Sequence, residues 1–99
     1  MARKSLIVSN YQELQKLNRR YLNVQSKLEK ARSGITQRKL KEYLDDLKEE
    51  MGWRFLDLGE YEKGLALYKS LSWETRGEAK YNGMVRAFVE MEYYNEARR

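Results

Sequence analysis

Four carboxylates stand close together in the middle of the chain and are the first candidates for chemistry. Asp45-Asp46 and Glu49-Glu50 are four residues apart, so on a helix their side chains are neighbours that could share a cation. Hard metal ions, however, take about six or more oxygens from converging elements, and no second carboxylate-rich segment is apparent. Lys41 and Lys48 can balance these charges along the same helix. We interpret the run as a solvated helix face and expect no metal site and no cofactor.

The other side chains that usually carry catalysis are missing from the sequence. None of the 99 residues is cysteine or histidine. Thiol nucleophiles, disulfides, zinc-finger ligands and histidine general bases are therefore excluded. Lysines, tyrosines and carboxylates remain, but no pairing among them indicates a nucleophile beside its base. The sequence predicts a protein that is not an enzyme.

The basic side chains suggest binding, because they are concentrated in the first part of the chain. Residues 1–41 hold eleven Lys/Arg and two Glu, a net charge of +9, whereas residues 42–99 hold nine Lys/Arg and 13 Asp/Glu, a net charge of −4. A basic face of this kind could neutralise phosphates, but no RNA- or DNA-recognition motif accompanies it, and plain solvation of a long helix face is the favoured explanation. The residues of this basic face are Lys16, Arg19, Arg20, Lys27, Lys30 and Arg38.

Helices are the elements that must position these residues. The chain has no proline and is rich in Lys, Arg, Glu and Leu, a composition that favours helix. After an N-terminal tail over residues 1–8, Ser9-Asn10-Tyr11-Gln12 resembles a capping box that opens a helix ending near residue 32. Ser33-Gly34 is its predicted stop, and Thr36 is the predicted cap of the next helix. The apolar residues of the first helix form a heptad seam: Leu14, Leu17, Tyr21, Val24, Leu28 and Ala31.

The second half of the chain is predicted to contain a turn at Gly59. A straight helix through this glycine would cost about 1 kcal/mol relative to alanine, so a new helix starting at Tyr61 is favoured. Thr75-Arg76-Gly77-Glu78 resembles another capping box, followed by a last helix. The apolar stripe that runs up to the turn consists of Leu40, Tyr43, Leu44, Leu47, Met51, Phe55 and Leu58. Short loops favour an all-α fold of tandem antiparallel helical hairpins.

Residues 45–99 resemble the tetratricopeptide repeat, a helix–turn–helix unit of about 34 residues. Met51-Gly52 stands in the place of the family's Leu-Gly pair, and Gly59-Glu60-Tyr61 matches its turn. Further packing positions of this first copy are filled by Phe55, Gly64 and Tyr68. A second copy is matched by Tyr81, Phe88, Tyr94 and Ala97. It is degenerate, because Val85 and Glu92 replace the Leu-Gly pair and the turn glycine, and it stops one turn into its second helix.

The resemblance implies a right-handed array of repeats whose first helices line a groove for a peptide or partner helix. The N-terminal helical hairpin that precedes this array does not match the repeat. The groove positions that the resemblance implies are Asp46, Glu49, Trp53, Leu56, Asp57, Asn82 and Arg86, with Ala79, Val89 and Glu90 beside the last two. An acidic groove with an exposed tryptophan would prefer a basic or amphipathic ligand. Burial of Trp53 in the core is the alternative for that residue.

These observations predict a non-enzymatic adaptor or scaffold that binds a protein or peptide partner. We expect a single all-α domain over residues 9–99, with a basic helical region at 9–44 and repeats at 45–99. The alternative is a nucleic-acid-binding protein that contacts phosphates through its basic N-terminal helices. The heptad seam also leaves a homodimer open. No stretch approaches the roughly 20 apolar residues of a membrane span, so we expect a cytoplasmic protein without membrane contact.

Overall fold

The computed structural model describes residues 2–97 of the chain, and the side chains of residues 8–95. It contains four α-helices: α1 (Ala2–Lys30), α2 (Gly34–Asp57), α3 (Tyr61–Lys69) and α4 (Trp73–Ala97). The described range holds no strand, so the all-α prediction is confirmed. No helix within it has both the length and the apolar character of a membrane span. The chain divides into two compact units, Met1–Lys48 and Glu49–Arg99, and α2 contributes to both.

The first unit consists of α1 and the first part of α2, joined by residues 31–33. Leu14, Leu17 and Val24 of the heptad seam are buried, as are Leu44 and Leu47 of α2. The seam therefore marks the inner side of α1, as its spacing predicts.

The predicted start of α1 is wrong. The helix begins at Ala2, so the residues assigned to a tail are helical from that point, and Ser9–Gln12 lies inside the helix rather than capping it. No glycine or proline interrupts residues 2–12, and most of them are tolerant of helix, so nothing stops the helix from extending backward.

The connection between α1 and α2 also differs from the prediction. α1 ends at Lys30 and Gly34 is the first residue of α2, not the stop after α1. The cap is Ser33, whose Oγ accepts the backbone N–H of Thr36 at 3.5 Å. Thr36, the predicted cap, sits three residues further on, at the position whose N–H donates to a cap. The Gln37 side-chain amide closes the connection by donating to the carbonyl of Ala31 at 2.9 Å.

In the second unit, the predicted turn at Gly59 is present. α2 ends at Asp57, Gly59 adopts a φ of 79°, and α3 starts at Tyr61. This left-handed conformation suits glycine, because a Cβ would crowd the following carbonyl. The N–H of Glu60 donates to the carbonyl of Phe55 at 2.9 Å, which satisfies an acceptor at the end of α2. The glycine therefore allows the chain to reverse in three residues.

Tyr68 is the centre of the packing in the second unit. Its ring is only 3% exposed and lies between two glycines, Gly52 on α2 and Gly83 on α4. Its hydroxyl donates to the carbonyl of Glu49 at 3.0 Å. Burial, with a smaller contribution from the Glu49 carboxylate, raises the pKa of Tyr68 to about 12. The two glycines matter because a side chain at either position would overlap the ring.

The last part of α2 runs antiparallel to α3. Gly52 and Leu56 lie against Gly64, and Glu49 meets Tyr68 at the far end of α3. Leu56 is a groove position implied by the repeat resemblance, and here the prediction is wrong, since the side chain is 2% exposed and belongs to the core. It faces α3 because it stands one helical turn after Gly52, where the two backbones approach closely. The remaining core residues are Leu65, Tyr68, Leu71 and Ala87, with Tyr61, Met84 and Met91 packed against them.

α4 departs from the sequence-based expectation at both ends. It begins at Trp73, after Ser72, whose Oγ accepts the N–H of Glu74 at 3.2 Å, rather than at the predicted capping box from Thr75. A kink follows at Arg76, where φ is −134° and ψ is 29°. The turn expected near Glu92 is absent, and the helix continues to Ala97, because a glutamate in place of glycine does not favour the left-handed conformation that such a turn uses.

A buried lysine joins α4 to the end of α3. Lys80 is 7% exposed, and its Nζ donates to the carbonyls of Lys69 at 2.6 Å and Leu71 at 2.7 Å. The same ammonium lies 4.9 Å from the ring centroid of Trp73. A cation at a helix C-terminus satisfies orphan carbonyls and meets the negative end of the helix dipole.

Candidate functional site

Two helices of the second unit present their polar side chains to each other. Glu49, Trp53 and Asp57 follow one another at four-residue intervals on α2, and Asn82, Arg86 and Glu90 do the same on α4. Residues at this spacing share one side of a helix. Together with Arg76 we call these residues the α2–α4 face. Glu49 contacts Arg76 and Asp57 contacts Arg86, so the two helix segments run in the same direction.

Arg86 is the residue that holds one end of the face together. Its Nη2 donates to Asp57 Oδ1 at 2.7 Å, and its Nε donates to Glu90 Oε1 at 2.7 Å. Burial acts to lower the pKa of Arg86, but the hydrogen bonds to Glu90 and Asp57 outweigh it, and the pKa is raised above its ordinary value. Nη1 is buried and has no hydrogen-bond partner among the described residues. The guanidinium is therefore fixed in position and charged at any physiological pH.

Trp53 lies against this guanidinium. The Cζ atom of Arg86 is 4.3 Å from the ring centroid, a distance at which a cation is attracted by the indole. The tryptophan is 46% exposed, so it is not the buried core residue that was the alternative interpretation. Its ring is held on one side by Arg86 and remains partly open to solvent. A tryptophan in this state offers a rigid apolar contact without first having to be ordered.

The other end of the face contains a shallow cavity of about 410 Å³. Arg76 Nη1 donates to Glu49 Oε2 at its edge. The lining residues are Glu49, Thr75, Arg76, Gly77, Glu78, Ala79 and Asn82. Glu49 and Asn82, two groove positions implied by the resemblance, are therefore on one cavity. Its polar side chains suit a ligand that brings hydrogen-bond donors and acceptors.

Most of the predicted groove residues come together on this face. Glu49, Trp53, Asp57, Asn82 and Arg86 all belong to it. Leu56 does not, because it is buried in the core. Asp46 is exposed on α2 and belongs to the first unit.

The predicted basic face is exposed throughout. Each of its members has its side chain in solvent on α1 or at the start of α2: Lys16, Arg19, Arg20, Lys27, Lys30 and Arg38. No set of three or more Asp or Glu residues in the described part of the chain is arranged to hold a metal ion.

The sequence does not reveal the roles of two residues, Arg76 and Lys80. Its local pattern places Arg76 in a capping box, whereas the side chain pairs with Glu49 from 27 residues away. It indicates nothing for Lys80, which is buried against carbonyl groups. No local spacing signals either contact, because both partners lie outside α4. The excess of basic over acidic residues at 76–86 is the one hint that cations there meet acceptors elsewhere.

Comparison with known proteins identifies no relative of this chain. No family model matches the chain, no curated protein matches its sequence, and no solved structure matches it. The tetratricopeptide resemblance therefore stays a prediction from the residues that carry it.

Proposed function

We propose that this chain is a non-enzymatic interaction module, an adaptor or scaffold, that binds a peptide or partner helix on the α2–α4 face. In this proposal α2 and α3 form a tetratricopeptide-like hairpin, and α4 opens a second, degenerate repeat. The turn at Gly59 and the close approach of Gly52 to Gly64 support that interpretation. Parallel α2 and α4 segments then form the walls of the groove.

The observation that carries the proposal is the half-exposed Trp53 held by Arg86. Tryptophan is among the residues that contribute most binding energy at protein interfaces. Arg86 is itself fixed by Asp57 and Glu90, so the indole has a rigid support at 4.3 Å. A surface prepared in this way loses little side-chain entropy when a ligand covers it.

The charges of the face indicate the class of ligand. It carries the carboxylates of Glu49, Asp57 and Glu90 against the guanidinium groups of Arg76 and Arg86, an excess of one negative charge. A ligand that places an apolar side chain on Trp53, and a Lys or Arg next to that side chain, would match both the exposed indole and the excess negative charge of the face. We therefore propose a basic amphipathic peptide or helix as the ligand.

A peptide selection tests this proposal directly. Helical peptide ligands are selected on the wild-type protein, and their affinities are measured for Trp53→Ala and for Trp73→Ala. The two tryptophans are matched, because each is exposed and each lies against a cation of α4. We expect Trp53→Ala to weaken binding by about 30-fold or more, as at an interface hot spot, and Trp73→Ala to leave it unchanged.

Fluorescence provides a second readout of the same binding. The chain has two tryptophans, so Trp73→Phe leaves Trp53 as the sole reporter. A selected peptide should shift the Trp53 emission to shorter wavelength as the indole is covered. Selected peptides that bind Trp53→Ala as tightly as wild type, and do not change Trp53 emission, would show that the ligand does not use this face.

Nucleic-acid binding is the second candidate function, supported by the exposure of all six residues of the basic face. Binding would be driven by phosphate contacts and would fall steeply with salt. Fluorescence anisotropy with a labelled duplex over a salt series measures this dependence. If this function operates, replacing Arg19 and Arg20 with alanine should lower the salt slope by about one for each phosphate that is no longer neutralised. A chain that does not bind at low salt would eliminate it.

A further inference from the structure

A second surface of α4 is apolar and lies away from the α2–α4 face. Tyr81, Val85 and Phe88 are exposed and follow at intervals of four and three residues, so they form one line along the helix. Phe88 is 49% exposed, although Lys69 of α3 lies 5.9 Å from its ring centroid. We call these three residues the α4 stripe. Contiguous apolar surface of this kind marks interaction sites.

Acidic side chains outnumber basic ones around the α4 stripe, where Lys69 of α3 lies beside Phe88. The exposed charged side chains of α4, over its described residues, are Glu74, Glu78 and Glu92, and they lie toward both ends of the stripe. The cations of this helix are occupied elsewhere: Arg76 with Glu49, Lys80 with carbonyl groups and Arg86 with Asp57 and Glu90. An occupant of the stripe must therefore combine apolar side chains with positive charge.

The outer side of α1 has the complementary character. Val8, Tyr11 and Leu22 are exposed on it, and Val8 and Leu22 are two heptads apart on one line. The exposed charged side chains of α1, over residues 8–30, are five cations and Glu29. These cations are Lys16, Arg19, Arg20, Lys27 and Lys30. α1 is thus a basic helix with exposed apolar residues, which is what the α4 stripe requires.

We propose that the α4 stripe docks a second copy of this chain, which presents the outer side of its α1. Pairing of one α4 stripe with another is disfavoured, because in either direction it places Glu74, Glu78 or Glu92 against carboxylates of the second copy. Contact between α1 of one copy and α4 of another instead joins opposite charges around an apolar centre. The contact is heterologous, so each copy offers one surface of each kind.

Sedimentation equilibrium of the full chain tests this proposal. We expect concentration-dependent association with a Kd of about 10 µM to 1 mM, as for small interfaces. The association should weaken at about 0.5 M salt, since screening removes part of the attraction between the two charged surfaces. A wild-type protein that stays monomeric up to about 1 mM at low salt overturns the proposal.

Matched variants locate the contact. Phe88→Glu and Leu22→Glu each damage one of the two surfaces and should each raise the Kd about tenfold or more. Tyr93→Glu is the control, because this tyrosine is 75% exposed on α4 but off the stripe, and it makes the same change of charge. Val85→Glu replaces Phe88→Glu if circular dichroism shows that the latter is not folded. Equal weakening by Tyr93→Glu would refute the assignment.

Mixing two damaged proteins distinguishes the proposed contact from like-with-like pairing. Phe88→Glu retains an intact α1, and Leu22→Glu retains an intact α4 stripe, so an equimolar mixture should form one-to-one dimers although neither variant associates alone. If the contact joins two stripes, Leu22→Glu associates alone, and if it joins two α1 helices, Phe88→Glu associates alone; in either case mixing adds no new dimer and the proposal fails. Trp53→Ala should not affect association, which keeps this test separate from that of the α2–α4 face.

Discussion

Adding a single methyl group at Gly83 should destabilise the protein, although alanine is a better helix former than glycine. A Cβ at this position would overlap Cγ, Cδ1 and Cε1 of Tyr68. The ring cannot retreat, because Gly52 closes its other side, where an added Cβ would lie 2.7 Å from Cε2. Relief requires rotation of a buried tyrosine whose hydroxyl is bonded to the Glu49 carbonyl.

Three contributions determine how much Gly83→Ala changes the free energy of unfolding. Overpacking of a filled core costs about 1–3 kcal/mol. Loss of the Tyr68 hydrogen bond adds about 0.5–1.5 kcal/mol. The greater helix propensity of alanine returns about 1 kcal/mol. We expect Gly83→Ala to lower the free energy of unfolding by about 0.5–3.5 kcal/mol, and the melting temperature by about 4–8 °C for each kcal/mol.

Gly77→Ala is the matched control on the same helix. A Cβ there would meet only Trp73 Cε3, at 3.9 Å, so the substitution should be neutral or stabilising by up to about 1 kcal/mol. Urea unfolding followed by circular dichroism compares both variants with wild type. We also expect the loss of stability caused by Gly83→Ala to be smaller in a Tyr68→Leu background, which a double-mutant cycle would show. If the Gly83→Ala protein is as stable as Gly77→Ala, the Tyr68 ring does not pack tightly between Gly52 and Gly83.

Three further substitutions test the packing of the second unit. Gly59→Ala should cost about 1–2 kcal/mol in a thermal melt, because φ at this residue is 79°, and an unchanged melt would contradict the turn. The pKa of Tyr68 is about 12 in the folded protein and 10.0 ordinarily. As the pH rises, the unfolded state therefore loses its proton first, and the free energy of unfolding should fall by about 1.4 kcal/mol per pH unit between these two values. Stability curves for Tyr68→Phe should lack that part of the loss, and identical alkaline slopes would argue against a buried hydroxyl. Lys80→Met should cost about 1–3 kcal/mol in urea unfolding by leaving the carbonyls of Lys69 and Leu71 without their donor, and a neutral result would argue against this cap.

The class of fold and the turn at Gly59 are predictable because both depend on local properties. Composition without proline favours helix along the whole chain, and one glycine after an apolar stripe is a strong local signal of a reversal. Helix starts are harder to predict. Ser33 and Thr36 are both good caps, and so are Ser72 and Thr75, and packing rather than propensity selects one of each pair.

The site is predictable only where residues repeat at helical spacing. Glu49, Trp53 and Asp57 share one side of α2 by their spacing alone. The prediction for Leu56 fails because the approach of α2 to α3 at Gly52 turns a different side of the helix inward. The contacts of Arg76 and Lys80 join residues distant in sequence or bond backbone carbonyls, and neither has a sequence signature. Long-range polar contacts of this kind are seen only once the helices are packed.

Affinity capture from a lysate of the source organism, with and without nuclease, is the most direct test of the central claim. The immobilised proteins are wild type, Trp53→Ala, Trp73→Ala and the double variant Arg19→Ala/Arg20→Ala. We predict defined protein partners that survive nuclease, are lost with Trp53→Ala and are retained by the other two variants. Enrichment that vanishes with nuclease and with the arginine variant, or partners that bind regardless of Trp53, would contradict binding on the α2–α4 face.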